Sequence, residues 1–175
     1  TRAIPLVLEA LLRARLEDYE LTVVGDGPAL PHWKRRAAEL GLAANVRFAG
    51  KVPRAQLDDF YARADVLVFP ALRDSGGSAL LEAMARGVPV ICLDWAGPGE
   101  MVDETSGIKV PVSTPEATVG AFAAALARLQ REPALRTRLA RAARARAEAR
   151  FGWEAKRQLL EETYLKLIHP DIVGE

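Results

Sequence analysis

Five short runs rich in β-branched and apolar residues recur through the first 112 positions, and a helical pattern follows each of the first three. "ELTVVG" (20–25), "NVRFAG" (45–50), "DVLVFP" (65–70), "VPVICL" (88–93) and "GIKVPV" (107–112) read as strands apolar on both faces. Between them, "PALPHWKRRAAELGL", "PRAQLDDFYARA" and "SALLEAMARG" carry apolar residues at three- and four-residue spacing. Strand–helix alternation with short links predicts an α/β fold, a Rossmann-like, doubly wound parallel sheet with right-handed crossovers. From Thr114 onward the strand pattern stops and three helical segments follow, two of them with proline at the first helical position, Pro115 and Pro133. The expectation is one domain over 1–175, with a sheet region at 1–113 and a C-terminal helical tail at 114–175.

Composition narrows the function classes. Half of the 175 residues are hydrophobic, 27% are charged and the net charge is +1. Such a chain can bury a core, and it gives no electrostatic reason to expect nucleic acid. The arginine-rich run "RTRLARAARARAEAR" reads as a solvated helix face with Leu135 and Leu139 turned inward, in preference to an anion-binding patch. Cys92, the single cysteine, falls inside a strand and reads as a buried thiol in a reducing compartment. No stretch has the roughly 18 apolar residues of a membrane span, and no signal peptide opens the chain, so a soluble, cytosolic protein is expected. His32 and His169 stand alone and read as surface or satisfied histidines. Trp33, Trp95 and Trp153 form no stacking stripe and are expected in core or loop packing, with Trp95 in a loop after "VPVICLD" at the border of the ligand rim.

The stretch "RDSGGSALLEAMARGVPVICL" concentrates the chemistry. In a doubly wound sheet, ligands sit beyond the carboxyl ends of the strands. The loop after "DVLVFP" lies on that rim. Gly76 and Gly77 let backbone approach a ligand, and Ser78 opens a helix whose free N–H groups favour an anion. Glu82 follows one turn on, about 6 Å up the axis. A carboxylate there can accept both hydroxyl hydrogens of a ribose whose diphosphate meets the helix start. The plainer alternative is a glycine turn followed by an ordinary surface glutamate.

An acid, seven residues, then "EAMARGVPV" resembles the E-x7-E signature of the retaining GT-B glycosyltransferases of group 1, family 4. "LTVVGDGP", "NVRFAGKVPRAQLDDFYARADVLVFPA", "AGPGEMVDETSGIKVPV" and "FGWEA" resemble further segments of that family, in order. The resemblance implies that this chain is the C-terminal, donor-binding half of a GT-B fold. The activity it implies is hexosyl transfer from a nucleotide-diphosphate sugar with retention of configuration. The acceptor, a glycan, lipid or small molecule, would be held by an N-terminal domain absent from this sequence. By the motif, Glu82 holds the donor ribose, and Gly76, Gly77, Ser78 and Ala79 surround the diphosphate. Lys51 and Val52 border the base, Asp74 contacts hydroxyls of the transferred sugar, and Arg2 stands where a phosphate-neutralising cation is expected. The family generally needs no divalent metal, so no cofactor is expected. A cytoplasmic location with peripheral contact at the inner membrane face also fits.

Two departures affect the sugar grip. Asp74 is one methylene shorter than the usual glutamate, and "DSGG" lacks the usual aromatic before the second glycine. Two other functions stay open: a non-catalytic nucleotide-sugar-binding module, and a GT-B nucleotide-sugar epimerase. The family's first, central strand also has no counterpart here, because "TRAIPLVLEALLRA" enters a helix at once and has no initiator methionine. An empty central position would leave buried backbone groups unpaired, at about 1–3 kcal/mol each. Residues before Thr1, a strand from another chain, or closure of the two flanking strands would each answer that. Upstream residues are the expectation, and without them weak donor binding and no transfer are expected.

Overall fold

The computed structural model describes residues 2–73 and 77–168. The chain begins with α1 (Ile4–Ala14), which has proline in its first turn and ends at Arg15 in the left-handed region, φ 50°. Strands and helices then alternate: β1 (Leu21–Val24), α2 (Leu30–Glu39), β2 (Val46–Gly50), α3 (Arg54–Arg63), β3 (Leu67–Phe69), α4 (Ser78–Ala85), β4 (Val90–Leu93), α5 (Ala96–Met101) and β5 (Gly107–Val110). The tail is α6 (Pro115–Arg131), α7 (Pro133–Arg146), a π-helical turn (Ala147–Phe151) and α8 (Trp153–Ile168). All five expected strands form, each one to three residues shorter than its predicted run.

Every strand pairing is parallel, but the strands fall into two groups. β1 pairs with β2, with a register slip at Val23/Val24, while β3, β4 and β5 form a second sheet in that order. β1 and β3 are not hydrogen-bonded to each other, so the two strands expected to flank a central one have not closed together. Helices bridge the two groups instead. Leu8 and Leu11 of α1 share one core with Val23, Val46, Ile91, Leu93 and, from α6, Phe122 and Leu126. β4 shows why the fold is doubly wound: Ile91 and Leu93 belong to that core, and Val90 and Cys92 face a second one. The second core is built from Phe69, Leu80, Met84, Val102 and, from the tail, Ala143 and Ala147. All four β4 residues are buried, as a strand covered on both faces should be.

Local signals set several boundaries. Thr114 caps α6 by accepting from the Ala117 N–H at 3.3 Å, with Pro115 first in the helix. α4 stops at Gly87, φ 70°, where the Gly87 N–H donates to the Met84 carbonyl and the Val88 N–H to the Ala83 carbonyl, both at 2.9 Å. That pair of bonds satisfies carbonyls the helix end would otherwise strand.

The structure corrects three expectations. "AGPGEM" forms α5 despite its two glycines and a proline. Gly99 is small because a Cβ there would lie 3.0 Å from Asp94 Oδ1 and 3.1 Å from the Asp94 backbone, so its reason is internal packing. Trp153 is 92% exposed, outside either core, on a helix that also exposes Leu159, Tyr164 and Leu167. The arginine run does put Leu135 and Leu139 inward, yet one of its arginines, Arg146, is turned in as well. Among the described residues, no helix is long and apolar enough to cross a membrane.

Candidate functional site

The helix after β3 starts on a glycine that has to be one. Gly77, the N-cap of α4, has φ +48°, and a Cβ on it would lie 2.8 Å from the Met101 sulfur. Its carbonyl accepts from the Leu80 N–H (2.8 Å) and the Leu81 N–H (2.9 Å), which leaves the first N–H groups, on Ser78 and Ala79, pointing out of the opening turn. Leu80, Ala83 and Met84 anchor the opposite face in the core. Ser78 is exposed and Ala79 partly so, at the carboxyl end of β3. An anion can therefore reach the positive end of the helix.

One turn on, Glu82 reaches back toward the loop after β2. Its side chain is 21% exposed, and its Oε1 lies 3.3 Å from Arg54 Nη1 in an ion pair. Tyr61 Oη lies 3.3 Å from Glu82 Oε2 and 3.2 Å from the Ala79 carbonyl oxygen. The hydroxyl has one hydrogen, which these two acceptors share. Burial, and then the Glu82 charge, push the Tyr61 phenol up to about 12, so it stays a donor at neutral pH. The ring is pinned as well: the Arg86 guanidinium lies 5.1 Å from its centre, donates to the Glu82 backbone carbonyl at 2.9 Å and pairs with Asp58.

The structure brings several expected residues into one neighbourhood. Lys51 and Val52 precede Pro53, the N-cap of α3, and Arg54, the first residue of α3, pairs with Glu82, so the expected base-binding segment leads into the helix that touches the expected ribose acceptor. Arg2 lies at the far end of the loop leading to α4: it forms an antiparallel bridge to Ala71, and its guanidinium stacks 4.1 Å from the Phe69 ring centre. The neighbouring Ala3 N–H donates to the Pro70 carbonyl at 2.8 Å. Asp74 and Gly76 fall outside the described residues, as does His169. Trp95 is 53% exposed on the same rim, at the start of α5.

Arg54 and Tyr61 were not singled out from sequence. Both sit on α3, which carries no buried residue, and only the packing of α3 against α4 reveals them. The rim also has a brace on its outer side. Arg146 donates to the Met101 carbonyl (Nε, 2.7 Å) and the Glu100 carbonyl (Nη2, 3.2 Å) and pairs with Asp103 (Nη1, 2.5 Å). Partial burial raises the Asp103 carboxyl, but hydrogen bonds from Thr105 and Ser106 and the Arg146 charge outweigh it and bring it down to about 2.

Comparison with known proteins gives the family and the fold. The model of the family "Glycosyl transferases group 1" matches residues 2–146. A D-inositol 3-phosphate glycosyltransferase of Streptomyces avermitilis is 36% identical over 142 residues, covering 80% of this chain and 30% of that protein. The chain therefore spans under a third of that curated relative. Among solved structures, a sucrose-phosphate synthase from Thermosynechococcus elongatus superposes with a TM-score of 0.78 at 28% identity, over 97% of this chain and 43% of that one. HepE of Anabaena, solved with UDP and glucose, gives a TM-score of 0.77 at 22% identity, over 91% and 43% respectively, and speaks to the fold alone. The fold is that of the C-terminal domain of GT-B glycosyltransferases, and the chain belongs to the group 1 glycosyl transferase family.

Proposed function

We propose that this chain is the donor-binding part of a retaining glycosyltransferase that moves a hexosyl group from a nucleotide-diphosphate sugar to an acceptor bound elsewhere in the protein. The observation that carries the reading is the placement of Glu82, one turn into a helix that opens on Gly77, beside the segment that leads into α3. On this reading the diphosphate meets the Ser78 and Ala79 N–H groups, the ribose meets Glu82, and the base lies along Lys51 and Val52. Asp74 touches the sugar. As the bond from the anomeric carbon to the diphosphate breaks, the sugar becomes oxocarbenium-like and the departing diphosphate gains charge. The helix N–H groups, fixed beforehand, and Arg2 stabilise that charge. No step in this scheme is assigned to a metal ion.

Titration calorimetry with UDP-, GDP- and ADP-sugars tests the reading. Glu82→Ala should weaken the preferred nucleotide by about 1.5–3 kcal/mol, the range of charge-assisted hydrogen bonds. Inorganic pyrophosphate, which has no ribose, should bind wild type and variant alike. Wild-type nucleotide affinity in Glu82→Ala would end the assignment, and repeating the titration in EDTA checks that no divalent ion is needed.

A further inference from the structure

The two oxygens of Glu82 are held in different ways. Oε2 faces the hydroxyl of Tyr61, a part-buried residue whose ring is locked between α3 and α4 by the Arg86 guanidinium. Among the described residues, Oε1 pairs with Arg54, whose side chain is 85% exposed and free to exchange with water. Exposed ion pairs of this kind are weak and readily displaced, while a hydroxyl on a pinned ring loses little freedom in keeping its bond. The carboxylate is thus fixed on one side and loosely covered on the other.

We propose that Tyr61 is the positioning residue for Glu82: its hydroxyl holds Oε2 so that Oε1 is presented to the ribose hydroxyls of a nucleoside diphosphate, which replace Arg54. This rests on the reading of Glu82 as the ribose acceptor. The same Tyr61 hydroxyl also reaches the Ala79 carbonyl in the first turn of α4. A purely structural Tyr61 would act through that turn, and its loss would disturb the diphosphate end. A positioning Tyr61 acts through Glu82, and its loss is felt at the ribose only.

The experiment is a calorimetric cycle on wild type, Tyr61→Phe, Glu82→Ala and the double variant. The probes are UDP, GDP, ADP, inorganic pyrophosphate and the 2′,3′-dideoxy form of the preferred nucleotide. Tyr61→Phe keeps the ring and its packing on Arg86. It should raise the nucleotide Kd by roughly three- to tenfold, as loss of one hydrogen bond implies. Pyrophosphate and the dideoxy nucleotide should bind Tyr61→Phe as they bind wild type, and the double variant should bind nucleotide no worse than Glu82→Ala alone. Pyrophosphate binding also certifies that the variant is folded. Loss of pyrophosphate binding in Tyr61→Phe, an additive loss in the double variant, or an unchanged nucleotide Kd in Tyr61→Phe would each overturn the proposal and leave the Glu82 reading intact. Nucleotide binding insensitive to Glu82→Ala, or no nucleotide binding by wild type, would sink that reading and this proposal with it.

Discussion

The sulfur of Met101 fills the space in which a side chain on Gly77 would have to lie, 2.8 Å from an ideal Cβ. Gly77 is also left-handed, at φ +48°, so an alanine there meets a backbone penalty and a steric one together. Gly77→Ala should lower stability by about 1–2 kcal/mol in urea unfolding and weaken pyrophosphate binding. Met101→Ala in the same chain should relieve the steric part, so the double variant should lie closer to wild type than the two single losses summed.

The brace on the outer rim should show in acid. Asp103 ionises at about 2 in the folded chain, below its ordinary value near 4, so the unfolded chain takes up the proton first as pH falls. The stabilisation is complete above pH 4 and disappears as pH drops through about 2. Asp103→Asn should cost about 1–3 kcal/mol at pH 7, since it leaves the Arg146 guanidinium without its carboxylate. The gap to wild type should narrow in unfolding curves taken from pH 4 to pH 2.

Alkaline behaviour runs the other way. Burial pushes Tyr61 and Cys92 up to about 12, with the charges of Glu82 and Asp94 adding to it, so the folded chain keeps protons the unfolded chain gives up. Stability should be intact below pH 9 and fall as pH rises toward 12. Tyr61→Phe removes the phenol's share, and its denaturation midpoint should decline less steeply than wild type between pH 10 and 11.5.

Two backbone positions offer stabilising changes. Arg15 ends α1 at φ 50°, and Ala96 opens α5 at φ 49°, a region glycine enters without a Cβ penalty. Arg15→Gly and Ala96→Gly should each be neutral or stabilising by up to about 1 kcal/mol in thermal or urea unfolding. A loss of more than that at either site would mean the side chain contributes more than its backbone strain costs.

Much of the fold was legible because buried parallel strands leave a plain mark. "VPVICL" has no polar residue, and all four residues of β4 are buried. Thr114–Pro115 and Gly87 marked helix ends through chemistry that acts within one turn. α5 was not legible, since its glycines and proline argue for a loop, and the close approach of Gly99 to Asp94 exists only in the folded chain. Gly77, Ser78 and Glu82 could be grouped as candidates because they sit on one short element. Tyr61 and Arg54 could not, because their partners lie 21 and 28 residues away and the contact exists only once α3 and α4 pack. The inward turn of Arg146 was hidden for the same reason: its partners are more than 40 residues upstream.

Arg146 is the last residue of α7, far along the chain from the glycine that opens α4, yet two steps connect them. Its guanidinium grips the Met101 carbonyl, and the Met101 side chain packs into the space above Gly77. The helical tail therefore works as a buttress for the rim and is more than a cover for the sheet. A chain trimmed at the end of β5 would keep every strand and every expected ligand-binding residue, and still lose the prop behind the first turn of α4. The smallest unit able to present that turn in its native shape reaches at least to Arg146.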